Sequence, residues 1–257
     1  MTNTELMERC NHYRKEMGKL FAEWKEKQGC IDLKIKKKQV TVQIDHRKHT
    51  FIRDGVVCPE KWFTQGIRPL FLLKEAYGGD QDWDLIEYIR DGSRRISESQ
   101  MWRRISEWSC ALLATTGNSI LPYQSWESIT YFGNQYLQQI AVINVKKSNG
   151  KPGSDFNEIR AYAMFDKDRL YQQIEICDPT VIVCGYTGEM LDSIAWDITG
   201  KSVKNNRNPN LYYHMELNGH DVLVLDYWHP TNQYPDMMNY YALMAIYQQA
   251  LLSESGR

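Results

Sequence analysis

Four short runs constrain this chain more than anything else in it. They are Leu70–Leu73, Ile140-Ala-Val-Ile-Asn-Val145, Thr180-Val-Ile-Val-Cys-Gly185 and Asp221-Val-Leu-Val-Leu-Asp226. Each is almost continuously apolar rather than alternating, as expected of strands covered on both faces. Between and after them lie stretches with helical spacing: Ser97–Leu113, a segment finishing at Asn134–Gln139, Asp155–Cys177 as one or two helices, Thr187–Trp196 and Met237–Leu252. Strands alternating with helices predict an α/β fold. The expected form is a three-layer α/β/α sandwich around a central, mostly parallel four-stranded sheet.

The first part of the chain has a different rhythm. Leu6, Met7, Tyr13, Met17, Leu20, Phe21 and Trp24 predict an amphipathic helix over residues 3–28, with Thr4 as its N-cap. Ile31, Leu33 and Ile35, then Val40, Val42 and Ile44, predict a strand–turn–strand hairpin with Lys36-Lys37-Lys38 near the turn. Such lysines ordinarily protect a sheet edge. The expected organisation is therefore an N-terminal helix and hairpin over residues 1–66 and an α/β domain over 67–257. Gly200–Asn210, with Lys201, Lys204, Asn205, Asn206, Arg207 and Asn208, reads as a polar loop.

The net charge of −1 excludes a chain that traps nucleic acid by bulk electrostatics, so any such contact must come from a local face. The six cysteines include no C-x-x-C pair, which argues against a zinc or iron–sulfur site. Asp45-His46-x-x-His49 lacks a third spaced ligand and reads as structural; no metal or cofactor is expected. Asp80, Asp82 and Asp84 lack the glycine and distal glutamate of a calcium loop. They read as a polar loop, with Asp82 or Asp84 as secondary candidates for sugar or base contact. The start lacks a basic, apolar leader, and no run approaches the ~20 apolar residues of a membrane span. A reduced, cytoplasmic, monomeric protein without membrane contact is expected.

In open α/β sheets, ligands bind beyond the carboxyl ends of the strands. Here those ends carry Glu75 (first run), Asn144 (second), Gly185 (third) and His229-Pro230-Thr231 (fourth). This order of carboxylate, Asn, glycine and His-Pro-hydroxyl resembles the uracil-DNA glycosylase superfamily. Leu73-Lys-Glu75-Ala76-Tyr77-Gly78 is similar to the Gly-Glu-Ala-Pro-Gly loop of its iron–sulfur bacterial and archaeal branch. Ile143-Asn144-Val145-Lys146-Lys147 with Asn149-Gly-Lys-Pro152 is similar to that branch's Thr-Asn-Val-Val-Lys…Pro segment, and Trp228-His229-Pro230-Thr231 to its His-Pro-Ser. The stretch Leu170-Tyr-Gln-Gln-Ile174…Asp178-Pro179-Thr-Val-Ile-Val-Cys-Gly185 also resembles it. The likeness spans roughly residues 68–250. Lys74 and Tyr77 replace the loop's first Gly and its Pro, and the cluster cysteines are missing, so no iron–sulfur cluster is carried over.

The resemblance implies a DNA glycosylase acting on a flipped-out uracil or modified pyrimidine. A modified base of phage DNA, in a defence role, fits the same reading. Glu75 would stabilise the cationic sugar and orient or deprotonate water. His229 would donate to the oxygen of the leaving base, and Asn144 would read that base's edge. Tyr77 and Trp83 would stack on it. Thr231, Lys146, Lys147 and Lys151 would hold phosphates of single- or double-stranded DNA, while Asn232, Gln233 and Tyr234 would fill the vacated stack. Plainer readings stand beside these: Glu75 as a helix-start carboxylate, Asn144 bonded within its strand end, His229 as a buried hydrogen-bonded imidazole, Trp83 as packing. The alternative functions are a catalytically silent DNA- or nucleotide-binding protein and a nucleoside or nucleotide N-ribohydrolase.

Overall fold

The computed structural model describes the chain except for residues 92–95, 97–98, 125–127, 129–133, 152, 205–210 and 256–257. The expected roles of Ser97, Pro152, Asn205, Asn206, Arg207 and Asn208 therefore fall outside the described residues.

The chain opens with helix α1 (Asn3–Lys25). Its N-cap is Thr2, not Thr4: the Thr2 hydroxyl accepts from the Glu5 N–H while Glu5 reaches back to the Thr2 backbone, a capping box. A hairpin of β1 (Gln28–Ile35) and β2 (Lys38–Asp45) follows. Next come β3 (Ile52–Arg53), β4 (Gly55–Val56) and the short helix α2 (Pro59–Trp62). The α/β part then runs β5 (Pro69–Glu75), β6 (Trp83–Asp84), α3 (Leu85–Arg90), α4 (Gln100–Ala114), β7 (Ala141–Lys146), α5 (Phe156–Phe165) and α6 (Lys167–Cys177). It ends with β8 (Val181–Gly185), α7 (Gly188–Thr199), β9 (Tyr212–Leu217), β10 (His220–Tyr227) and α8 (Asp236–Ser255).

The central sheet has six strands in the order β4-β7-β5-β8-β10-β9. The four expected strands are its parallel centre, and the expectation of four is corrected by an antiparallel strand on each edge. One face carries α1, α5, α6 and α7 over Leu70, Leu72, Ile143, Val145, Ile182 and Val224. The other carries α3, α4 and α8 over Phe71, Leu73, Val142, Val183 and Leu225. Three layers follow, because strands apolar on both faces must be covered on both.

Residues 1–66 are woven into this core rather than appended to it. Cys10, Tyr13, Met17, Leu20, Phe21 and Trp24 of α1 pack on the sheet face, and β4 is an edge strand of the same sheet. Trp62 is fully buried and donates its indole N–H to the Cys177 carbonyl at 2.8 Å. The end of α6 is fastened by Asp178, which adopts a left-handed backbone (φ 51°) and gathers Arg9 (2.7 Å), Arg68 (3.0 Å) and His220 (2.7 Å) around its carboxylate. Among the described residues, no helix is long and apolar enough to cross a membrane.

Candidate functional site

From β5 the chain crosses to β7 on one side and later continues in β8 on the other. This reversal opens a crevice beyond the carboxyl ends of β5 and β8, the usual place for a ligand in such a sheet. The side chains show how closely the strand ends converge. A Cβ on Gly185 would lie 2.7 Å from a Leu73 methyl and 3.4 Å from Pro230 Cδ, so the ends of β5 and β8 and the His-Pro turn touch at one glycine.

His229 is held in a defined state. Its Nδ1 lies 2.8 Å from the Thr231 hydroxyl and also accepts the Thr231 backbone N–H at 3.3 Å. A backbone N–H can only donate, so Nδ1 is the acceptor nitrogen and the ring proton of the neutral imidazole sits on Nε2. Burial, with the nearby Lys74 ammonium adding to it, lowers the imidazole pKa to about 4. His229 is thus a neutral N–H donor at physiological pH.

The turn that carries His229 is held from below by α4 and α8. Arg104, almost wholly buried, donates to the carbonyls of Pro230, Asn232 and Tyr234 and to the Asp236 carboxylate, each at 2.7 Å. Asn239 exchanges hydrogen bonds with Asn232 (2.8 and 3.0 Å) and donates to Tyr234 O. Asn232 in turn donates to His229 O at 2.9 Å. A planar guanidinium spreads its donors over several carbonyls at once, which an ammonium cannot do.

Glu75 lies under a second loop. Its Oε2 accepts from Lys146 at 3.0 Å, and Lys146 also pairs with Glu158 at 2.9 Å. Burial alone would lower the Lys146 pKa; the bonds to Glu158 and Glu75 outweigh it and raise it. Gly150 packs directly on the carboxylate, since a Cβ there would fall 2.5 Å from Glu75 Cδ. The loop is tied down by Gly150 N–H to Ala76 O (2.8 Å) and by Asn149 to Gly79 O (2.7 Å). Glu75 Oε1 is buried without a hydrogen-bond partner among the described residues.

Several expected roles do not survive this geometry. Asn144 is buried, and its amide donates to the Asp54 carboxylate (3.2 Å), as does its backbone N–H (2.7 Å), a partner neither expected reading named. Lys147 is fully buried, paired with Asp54 at 2.6 Å and set 5.1 Å from the Trp24 ring centroid. Lys146 is spent on two carboxylates. Both ammonium groups are thus held inward by carboxylates rather than offered to a phosphate. Trp83 sits on β6 beside β3, half-buried against the core and edge-on to Tyr88 (6.3 Å). Packing describes it. Asp84 caps α3, and Asp82 accepts from the Phe51 N–H and pairs with Lys25, so neither is free for sugar or base. His46 is buried against Asp166, its Nε2 2.9 Å from the carboxylate.

Others stand at the crevice edge. Tyr77 is 63% exposed, and Lys151, Thr231 and Gln233 are exposed. Asn232 is half-buried and serves the turn itself. Tyr234 stacks on Trp228 at 4.4 Å. Sequence reasoning missed Arg104, Lys74, Trp228 and Asp54. Arg104 had a signal, an arginine at a position that the helical pattern buries; Asp54, outside every periodic run, had none. Two surface cavities, of about 340 Å³ beside His214 and Glu216 and about 220 Å³ between Phe156 and Asp197, include none of the site residues. Among the described residues, no group of three His, Cys, Asp or Glu is placed to hold a metal ion. No protein-family model matches the chain, and no curated protein matches it.

Proposed function

We propose that this chain hydrolyses the N-glycosidic bond of an extruded base in DNA, uracil or a modified pyrimidine, leaving an abasic site. The observation that carries the reading is His229, a neutral imidazole whose Nε2–H is set by the Thr231 backbone and whose turn is held by Arg104. Leaving of a pyrimidine places negative charge on a base oxygen, and a pre-oriented neutral donor in a partly dry site stabilises that charge. In the reaction, water adds to the anomeric carbon as the C–N bond breaks, and the bonding pair leaves with the base. Glu75 takes the water proton on Oε1, the oxygen that Lys146 leaves unpaired. Lys74 adds positive charge near the leaving base, and Tyr77 supplies an exposed ring to stack on it.

One observation favours a second reading, DNA binding without catalysis. The Glu75 side chain is only 4% exposed, closed in by Gly150 and Lys146. The two separate experimentally. Single- and double-stranded DNAs containing uracil, hydroxymethylcytosine, its glucosylated forms, hypoxanthine or alkylated bases are incubated with the protein and scored for alkali-labile breaks. Breaks at one base, reduced about 10²–10³-fold in His229→Ala and lost in Glu75→Gln, support the glycosylase. DNA bound with no break at any base, in wild type as in Glu75→Gln, moves the assignment to the binding protein.

A further inference from the structure

The turn after β8 is built to present one side chain. Gly185-Tyr186-Thr187-Gly188 carries the chain from β8 directly into α7, and Tyr186 at its apex has a left-handed backbone (φ 64°). Lys36, Lys37 and Asn218 adopt that conformation in hairpin turns and Asp178 at a helix end, where it is ordinary. Tyr186 closes no hairpin and ends no helix. For a bulky residue the left-handed conformation is costly, and it persists only where the surroundings enforce it. Here they do. The Tyr186 N–H donates to Tyr227 O at 2.8 Å and the Thr187 hydroxyl to Leu72 O at 2.7 Å, which pins the turn to the strands on both sides of β8. Both flanks need glycine, because a Cβ at Gly185 would meet Leu73 at 2.7 Å and one at Gly188 would overlap the Asp226 carboxylate.

A sharp, strained strand-to-helix turn exposes the side chain at its apex above the sheet. Tyr186 is 59% exposed. Its backbone is bonded two residues before His229, and its ring meets Phe156, six residues after the Gly150 that packs on Glu75. It therefore lies between the segments that carry His229 and cover Glu75, at the end of one of the two strands that bound the crevice. The contact with Phe156 is edge-on (5.9 Å, 66°) and takes at most one face of the ring, so in a residue this exposed the other face stays open. Packing does not account for strain that sets a tyrosine out in solvent. Strained residues of this kind gather where a ligand is held.

We infer that Tyr186 is a specificity-determining contact of the crevice, its open face stacking on the planar ring of the base whose oxygen faces His229. This inference rests on the reading of the His229 site as acting on a DNA base, and its test keeps the two apart. Fluorescein-labelled strands, each holding one base of the panel above or thymine at the same position, are titrated with protein in the Glu75→Gln background, and binding is followed by anisotropy. Tyr186 is kept or changed to Ala, Gly or Phe. The strand with the recognised base should bind more tightly than its thymine counterpart. Tyr186→Ala and Tyr186→Gly should weaken that binding by about 5- to 150-fold, the range for loss of one base–ring stack. Tyr186→Phe, which keeps the ring, should retain most of it. Tyr186→Gly should also melt no lower than the protein with Tyr186, because glycine adopts φ 64° freely. Unchanged binding in Tyr186→Ala, a loss in Tyr186→Phe as large as in Tyr186→Ala, or a Tyr186→Gly protein that melts lower as it loses affinity would overturn the contact. So would equal affinity for every strand. Base release is measured in parallel with Glu75 intact. Tyr186-dependent binding without release at any tested base rejects the glycosylase and leaves the contact standing. Release whose KM is indifferent to Tyr186→Ala keeps the glycosylase and rejects the contact.

Discussion

Replacing Asp54 with alanine should be among the most damaging single changes in the molecule, although the residue sits outside any regular helix or long strand. Its carboxylate is fully buried and accepts four hydrogen bonds, from Lys147 Nζ (2.6 Å), Gln173 Nε2 (2.9 Å), Asn144 N (2.7 Å) and Asn144 Nδ2 (3.2 Å). Alanine strands the Lys147 ammonium in a site that already depresses its pKa through burial. Removing one partner of a buried pair costs about 3–5 kcal/mol. At roughly 2–4 °C per kcal/mol for a chain of this size, the melting temperature should fall by about 6–20 °C. The sign of the pH dependence follows. In the variant, the native state sheds the Lys147 proton at a lower pH than the unfolded chain does, so its stability should rise as pH rises. Calorimetry of Asp54→Ala, Lys147→Met and Asp54→Leu/Lys147→Met provides the assay. The double variant should cost far less than the sum of the singles, because it leaves no charge uncompensated. Single costs below about 1 kcal/mol that simply add would refute the buried pair. They would return Lys147 to the surface role first expected of it, in which its loss would instead flatten the salt dependence of DNA binding by about one charge.

Three further outcomes follow from the site. With the His229 pKa lowered to about 4 by burial and Lys74, base release should show no His229 inflection between about pH 6 and 8; the His229 contribution to stability should be lost as pH falls from 6.5 towards 4, and a rate inflection near 6.5 would contradict the neutral donor. Burial, reinforced by Asp236, raises the Glu107 pKa to about 7, so the Glu107 contribution to stability should decline as pH rises from 4.5 through 7, opposite in sign to that of His229. Glu107→Gln should remove that slope and gain about 2–4 kcal/mol near pH 8 in chemical denaturation. Gly150→Ala places a Cβ 2.5 Å from Glu75 Cδ and should displace the carboxylate, cutting release at least about tenfold, whereas Gly153→Ala, with nothing within 4 Å, should match wild type in the same assay.

The parallel centre of the fold was legible because burial on both faces leaves an unbroken apolar run, and all four such runs became strands. The edges were not. β4 is two residues long and exists because Asp54, beside it, is bonded to Asn144, a contact across 90 positions that no local pattern reports. β9 was overlooked although its turn was written plainly: Asn218-Gly219, between Leu217 and His220, has φ of 51° and 76°, the positive pair that an Asn-Gly hairpin favours. At the site, the strand-end rule brought Glu75 and His229 to one edge, but it is blind to partners. Lys146 and Lys147 carry the same charge in sequence whether they face solvent or carboxylates. Arg104, which holds the His229 turn, is 125 positions from it. What the sequence conveys is which groups reach the crevice, and what only the fold conveys is which of them are already engaged.

The late partners of Asp54 have a consequence for synthesis. α1, β4 and Asp54 are made well before the groups that complete their burial: Asn144, Lys147 and Gln173 follow Asp54 by 90, 93 and 119 residues. Until then the apolar face of α1 and a lone carboxylate have no native cover. The nascent chain must carry this segment unfinished while those residues are made, an interval in which exposed apolar surface favours misassembly.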